Sequence, residues 1–221
     1  MNRLLACLIS VWVTATPVTA ADYVVSKGPL SNKDFYRLVA CGAPVGGPCQ
    51  KALKSWPRQK RQALSIGLVA VDGPAPKYRV MVVRDAIRHA ILAVNKKPLG
   101  VHLVATDTNP DIEVYIDYQK PGLPISVGDR LLDGHINYGA KVRVWYRLKS
   151  IKRAAIVISN GVSNPDMKSV MLEEVVQGFG LTTDISNPAY LGKSIFDQHT
   201  SKVTAIQGQD RWAIRHHHGL K

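Results

Sequence analysis

Acidic side chains, cysteine and long apolar runs are all scarce in this sequence. Asp and Glu number 16 against 29 Lys and Arg, leaving a net charge of +13. Such a balance permits binding to anionic partners, including nucleic acid, anionic glycans and an anionic envelope surface. After residue 20 no segment stays apolar for the roughly 18 residues of a membrane span, so no transmembrane anchor is expected in the processed chain. No nucleophile elbow, phosphate-binding loop or cysteine-protease pattern occurs, which removes the commonest hydrolase and nucleotide-binding signatures. Internal repeats and low-complexity tracts are also lacking. A hydrophobic fraction of 46% over 221 residues is ordinary and suffices for one domain with a sizeable core.

The first twenty residues read as an export signal. Arg3 supplies the positive start, "LLACLISVWV" the short apolar stretch, and Val18 and Ala20 the small residues before a cleavage site near Ala20. The chain is therefore expected to be periplasmic or secreted, which argues against nucleic acid as a natural partner. Three cysteines occur, and Cys7 leaves with the signal. Cys41 and Cys49 remain in "CGAPVGGPC", whose glycines and prolines allow a tight loop, and an oxidising compartment favours a bridge between them. We expect a structural staple, with residues 21–62 forming a helix, the stapled loop and a basic connector.

The pattern along the remainder, residues 63–221, alternates strands and helices. Within residues 21–62, the helix over "LSNKDFYRLVACG" has Ser31 or Asn32 to cap it and Gly42 to end it. "ALSIGLVAVD", "VHLVATD", "DIEVYIDY" and "RAAIVISNG" read as strands, the last apolar throughout and so buried. "YRVMVVRDAIRHAILAVNKK" holds a long amphipathic helix with Val83, Ile87, Ala90, Ile91 and Val94 on one face. "AKVRVWYRLKS" alternates with period two. Lys141, Arg143, Trp145, Arg147 and Lys149 share one face of that strand, a basic platform able to meet an anion. The order of elements predicts a single α+β domain with a mixed sheet and a long packing helix.

The stretch "MLEEVVQGFGLTTD" is the most informative. A helix is expected there, capped by Ser163 or Asn164 with Pro165 in its first turn. Met171, Leu172, Val175 and Val176 fall on an apolar face, and Glu173 and Gln177, one turn apart, share a polar one. A zinc-hydrolase helix of the H-E-x-x-H type needs this spacing, with two ligands one turn apart and a glutamate after the first to activate water. Here Glu173 and Gln177 stand in the ligand places and Glu174 in that of the general base. A carboxamide oxygen is a poor zinc ligand and a carboxylate removes the charge that acidifies bound water, so high-affinity zinc is not expected.

This stretch, the later "SIF", the Asp-led "QDRWAIRHHH" and the earlier "DFYRLVACGAPVGGPC" and "SWP" together resemble a bacterial exported family, the domain of unknown function 2927 family. Its signature E-E-x-x-Q replaces H-E-x-x-H, and it is in turn similar to the zincin-like metalloproteases of the metzincin branch. The resemblance implies a zincin-like, metzincin-type fold with a degenerate active-site helix. It implies that Gly180 marks the turn toward a third ligand place, which falls on Thr183, with Asp184 one position later. It also implies that Ser194, Ile195 and Phe196 form the turn beneath the metal position, Phe196 replacing methionine, and that His199 lies near the cleft.

Two functions follow as expectations. The first is a catalytically inactive pseudo-metalloprotease that binds a peptide, protein or anionic glycan of the cell envelope without a cofactor. The second is a hydrolase or peptidase using Glu174 as base, with a weakly held divalent metal such as calcium or zinc on Glu173, Gln177 and Asp184. The terminal cluster His216, His217 and His218 reads as a surface feature with adventitious metal affinity.

Overall fold

The computed structural model describes residues 23–71, 73 and 75–220. The expected export signal and its cleavage site lie outside the described residues. Among them no helix is long and apolar enough to cross a membrane.

The chain forms a mixed α+β domain. Strand β1 (Tyr23–Val25) is followed by helix α1 (Asn32–Cys41), strand β2 (Leu64–Val71) and helix α2 (Lys77–Asn95). Strands β3 (Leu103–Ala105), β4 (Ile112–Asp117), β5 (Ala140–Arg147) and β6 (Ser150–Ser159) come next. Helix α3 (Met167–Gln177), strand β7 (Asp184–Ser186) and helix α4 (Gly208–His217) complete it. Five strands make one sheet in the order β3-β2-β4-β6-β5, while β1 and β7 pair separately. Pairs β2–β3, β2–β4 and β4–β6 are parallel, and the edge strand β5 is antiparallel to β6.

Alternation in the central strands separates the two faces of the sheet. Ile112, Val114 and Ile116 of β4 and Ala154, Ile156 and Ile158 of β6 join the main core with Val83, Ala86, Ala90 and Val94 of α2 and Met171, Leu172, Val175 and Val176 of α3. Phe35, Leu38 and Val39 of α1 and Trp56 belong to the same core, so the N-terminal segment is not a separate body. On the opposite face Tyr115, Ala155 and Val157 pack under Ile125 and Leu132 of the loop between β4 and β5. That loop is held by Arg153, which donates to Glu113 (Nε to Oε1, 2.9 Å) and to Asp129, while the Tyr115 hydroxyl also reaches Asp129 at 3.2 Å. Each partner holds the guanidinium in place from a different segment.

Helix α1 begins and ends as expected. The Ser31 hydroxyl accepts from the Asp34 amide at 3.1 Å, and Gly42 closes the helix with φ 65°. Cys41 and Cys49 form a disulfide that folds the intervening loop against the end of α1.

Two expectations change. Helix α3 starts at Met167, not directly after Ser163 or Asn164. The Asn164 side chain accepts instead from Arg79 Nη1 at 2.7 Å, and Ser163 caps only the turn, accepting from the Asp166 amide at 3.3 Å. A buried Arg79 also donating to the carbonyl of Val162 at 2.7 Å diverts the cap residues from the helix. The second change concerns the basic strand, which ends at Arg147. Leu148 and Lys149 form a two-residue turn with φ 48° and 66°. Both positive angles suit a tight hairpin of the first primed type, which normally takes Asn-Gly, and each non-glycine residue there costs about 1 kcal/mol. A register shift between Trp145 and Tyr146 also interrupts the alternation.

Immediately after α3 the backbone of Gly180 passes against the segment that carries "SWP". Its φ is 113°, and a Cβ there would lie 2.0 Å from the carbonyl oxygen of Lys54. Trp56, fully buried, donates its indole N–H to the carbonyl of Gly178 at 2.8 Å. Gly180→Ala therefore cannot be absorbed by side-chain motion. We expect a loss of about 3 kcal/mol or more in urea unfolding. A midpoint within experimental error of the parent would contradict this close approach.

Candidate functional site

A cleft of about 670 Å³ runs between α3, the edge strand β5, the segment around Lys51 and Lys54, and the loop after β7. Its floor is acidic, with Glu173, Glu174 and Asp184 lining it together with Gln177 and Ser201. Its rim is basic, with Lys51, Lys54, Arg130, Lys141 and Arg143.

Helical spacing brings the floor together. Glu173 and Gln177 are one turn apart on α3, and β7 delivers Asp184 from the other side. Gln177 Nε2 donates to Asp184 Oδ1 at 2.6 Å, and the Ser201 hydroxyl donates to Glu173 Oε2 at 3.0 Å. Strand alternation settles which residue after Gly180 faces inward. Thr183 is fully buried and pins the chain through its amide to the carbonyl of Val39 at 3.2 Å, whereas Asp184 opens to the cleft. Glu174 is buried at the base of the cleft.

Removal from water pushes the Glu173 carboxyl well above its usual value, and the negative charges of Asp184 and Glu174 push it further. The hydroxyl of Ser201 opposes this without reversing it. On the rim Lys54 moves the other way, lowered by burial and by the like charges of Lys51 and Arg143. The ammonium of Lys54 also sits 5.2 Å from the Tyr146 ring centre.

The "SIF" turn is tied to α4 and to β7. The Ser194 hydroxyl donates to Asp210 Oδ1 at 2.6 Å and the Ile195 amide to Oδ2 at 2.9 Å. Burial raises the Asp210 carboxyl to about 6 even against these two bonds. Phe196 then accepts from the Ile185 amide at 2.7 Å, so the turn runs beside β7 and sets the position of Asp184. Phe196 itself is buried in the core against Phe35, with ring centres 6.1 Å apart, and does not line the cleft.

The structure thus gathers Glu173, Glu174, Gln177 and Asp184, and adds Lys141 and Arg143 from the basic strand. Others lie elsewhere. Gly180 is structural, as described above. His199 is exposed beside Ser186, with its Nε2 2.9 Å from the hydroxyl, and it is not among the residues lining the cleft. Arg147 and Lys149 stand at the far tip of the hairpin because the turn intervenes.

The terminal histidines do not form a surface cluster. His218 is buried and its Nδ1 donates to the carbonyl of Leu99 at 2.7 Å; His217 Nε2 donates to that of Phe179 at 3.1 Å. Burial holds His217 at about 4 and His218 at about 3. Only His216 is exposed, stacked on Trp212 with ring centres 4.8 Å apart. Among the described residues no group of three or more His, Cys, Asp or Glu side chains is arranged to hold a metal ion.

Lys51, Lys54, Arg130 and Ser201 escape sequence reasoning. The first two look like part of a solvated basic connector, and only the docking of Trp56 turns them toward α3. No family model matches this chain, and no curated protein is similar to it.

The raised Glu173 carboxyl has a consequence for stability. Because its folded value lies above the unfolded one, it adds nothing unfavourable well below the unfolded value, where both states are protonated. Folding is penalised as pH rises above the unfolded value, and fully so once pH exceeds the folded value. Glu173→Gln should therefore unfold at higher urea than the parent at pH 8, with the difference shrinking toward pH 4. Equal midpoints at pH 8 would contradict the crowding of carboxylates in the floor.

Proposed function

We propose that this chain is an exported, zincin-like binding protein whose metal-site position has become a ligand cleft. The single observation that carries this reading is the hydrogen bond from Gln177 to Asp184. The side chain in the second ligand place is engaged with the carboxylate that would have completed a metal site, so the two satisfy each other. Ser201 engages Glu173 in the same way. Support for the fold assignment comes from the antiparallel edge strand beside the cleft, the helix α3 below it and the "SIF" turn beneath.

The ligand is an extended chain lying along β5. This strand has β6 as its only strand partner among the described residues, so its other edge offers backbone donors and acceptors to an added strand. Rim cations Lys54, Lys141 and Arg143 favour a peptide or glycan that carries acidic groups. Half-buried Val142 and Val144 offer apolar contacts between them.

A second reading has one observation in its favour. Burial raises the Glu173 carboxyl beside Glu174, and acid–base hydrolysis uses such a pair, one carboxyl donating and the other accepting. In that case Glu174 is the general base and the chain is a hydrolase or peptidase with an atypical site.

Metal analysis of untagged protein, binding assays with an acidic decapeptide and a uronate oligosaccharide, and the variants Glu174→Gln and Arg143→Glu separate the two. The binding reading expects no stoichiometric metal, affinity kept in Glu174→Gln, and affinity reduced about tenfold in Arg143→Glu, as for a reversed charge in a rim pair. Stoichiometric metal, or a hydrolytic activity abolished by Glu174→Gln, would overturn it.

A further inference from the structure

The tip of the β5–β6 hairpin breaks two local rules at once. Its turn requires positive φ at both positions, yet it is built from Leu148 and Lys149 instead of Asn and Gly. Leu148 also extends its side chain into solvent, 91% exposed, making it the most exposed large hydrophobic residue among those described. A leucine that strains the backbone and buries nothing contributes nothing to folding. Such conflicts between local preference and observed conformation concentrate at functional positions.

Leu148 does not stand alone. Trp145 is 54% exposed and Tyr146 42% exposed on the same hairpin. Leu53, 40% exposed, belongs to the neighbouring segment, which is tied to the hairpin through Ser55. The Ser55 amide donates to the carbonyl of Lys149 at 3.0 Å, and the Ile151 amide donates to the carbonyl of Ser55 at 2.9 Å. Two chain segments joined at Ser55 thus carry exposed apolar side chains, with Tyr146 also lining the cleft.

Charge on the two segments themselves is of one sign. No Asp or Glu occurs between Asp34 and Asp72, nor between Asp133 and Asp166, and these two stretches supply both segments. Arg147, Lys149 and Lys152 are exposed, and none is ion-paired among the described residues. Lys54 and Arg143 add to the positive field beside them.

An exposed leucine, tryptophan and tyrosine on a hairpin that also exposes Arg147, Lys149 and Lys152 match the interface of an anionic bilayer. Aromatic rings settle at headgroup depth, a leucine reaches the acyl boundary, and the cations meet lipid phosphates. A soluble acidic protein or a polysaccharide would satisfy the cations but leave Leu148 without a purpose. We propose that this hairpin tip is a peripheral docking site for membranes bearing anionic phospholipid, holding the protein at a lipid surface whatever fills the cleft. No helix among the described residues spans a bilayer, so the contact is one of attachment.

The test is partition of the chain lacking residues 1–20, whose own apolar run would bind lipid, into vesicles. Vesicles of phosphatidylcholine alone are compared with vesicles containing phosphatidylglycerol, at low and at physiological salt. Binding is expected only to the anionic vesicles and should weaken with salt. Leu148→Asn is the decisive variant, because asparagine suits the turn. Its melting temperature should equal or exceed that of the parent, while partition falls about tenfold, the scale expected for withdrawing one leucine from an apolar phase. Replacing Arg147, Lys149 and Lys152 together by Gln should reduce binding further. Absence of binding to anionic vesicles would overturn the proposal. Equal capture on dextran sulfate and on anionic vesicles, both unchanged in Leu148→Asn, would also overturn it by assigning the patch to polyanions in general.

Discussion

The close passage of the chain just beyond α3 over the segment around Trp56 is the constraint on which most of this structure rests. Four consecutive positions there each meet a different part of the molecule. Gly178 accepts from the indole of Trp56, Phe179 accepts from His217, Gly180 lies flat against the carbonyl of Lys54, and buried Leu181 enters the core. Through Trp56 the exit fixes Lys51 and Lys54 at the cleft rim; through Ser55 it reaches the β5–β6 hairpin; through His217 it holds α4. None of these contacts tolerates displacement by a side chain at Gly180, because the nearest opposing atom is the backbone carbonyl oxygen of Lys54. The cleft is therefore a consequence of how one helix ends.

That geometry explains the electrostatic character of the site. Glu173, Glu174 and Asp184 are brought together because α3 and β7 converge, and burial first, then the neighbouring negative charges, raise the Glu173 carboxyl. Hydrogen bonds from Gln177 and Ser201 take up two of these carboxylates internally. The rim is crowded in the opposite sense, with Lys54 lowered by burial and then by Lys51 and Arg143. Acid below and base above produce a field directed across the cleft, a form suited to orienting a ligand with charged groups.

Features decided by neighbouring residues were legible in the sequence. Ser31 and Gly42 bound α1, the alternation in β4 and β6 marked buried strands, and Glu173 and Gln177 were placed on one helical face. Features decided by distant residues were not. Asn164 looked like a cap, but Arg79, 85 positions earlier, occupies its oxygen. The histidines near the end looked superficial, and the carbonyls of Leu99 and Phe179 give two of them a buried place. Leu148 and Lys149 continued a strand pattern because nothing in their chemistry signals a turn. In the site, the acidic floor could be read from one helix and the residues just beyond it, and Lys141 and Arg143 from the alternating strand, whereas Lys51, Lys54 and Arg130 join the rim only through the fold.

The central claim is that two carboxylates of the floor, Glu173 and Asp184, are engaged by protein groups in place of a metal. Calorimetric titration of zinc and calcium into the untagged chain measures this most directly, with Glu173→Gln and Asp184→Asn as paired controls. The account predicts that the parent and both variants give the same heats, any weak binding coming from elsewhere on the surface. A saturable one-to-one isotherm in the parent that disappears in both variants would contradict it.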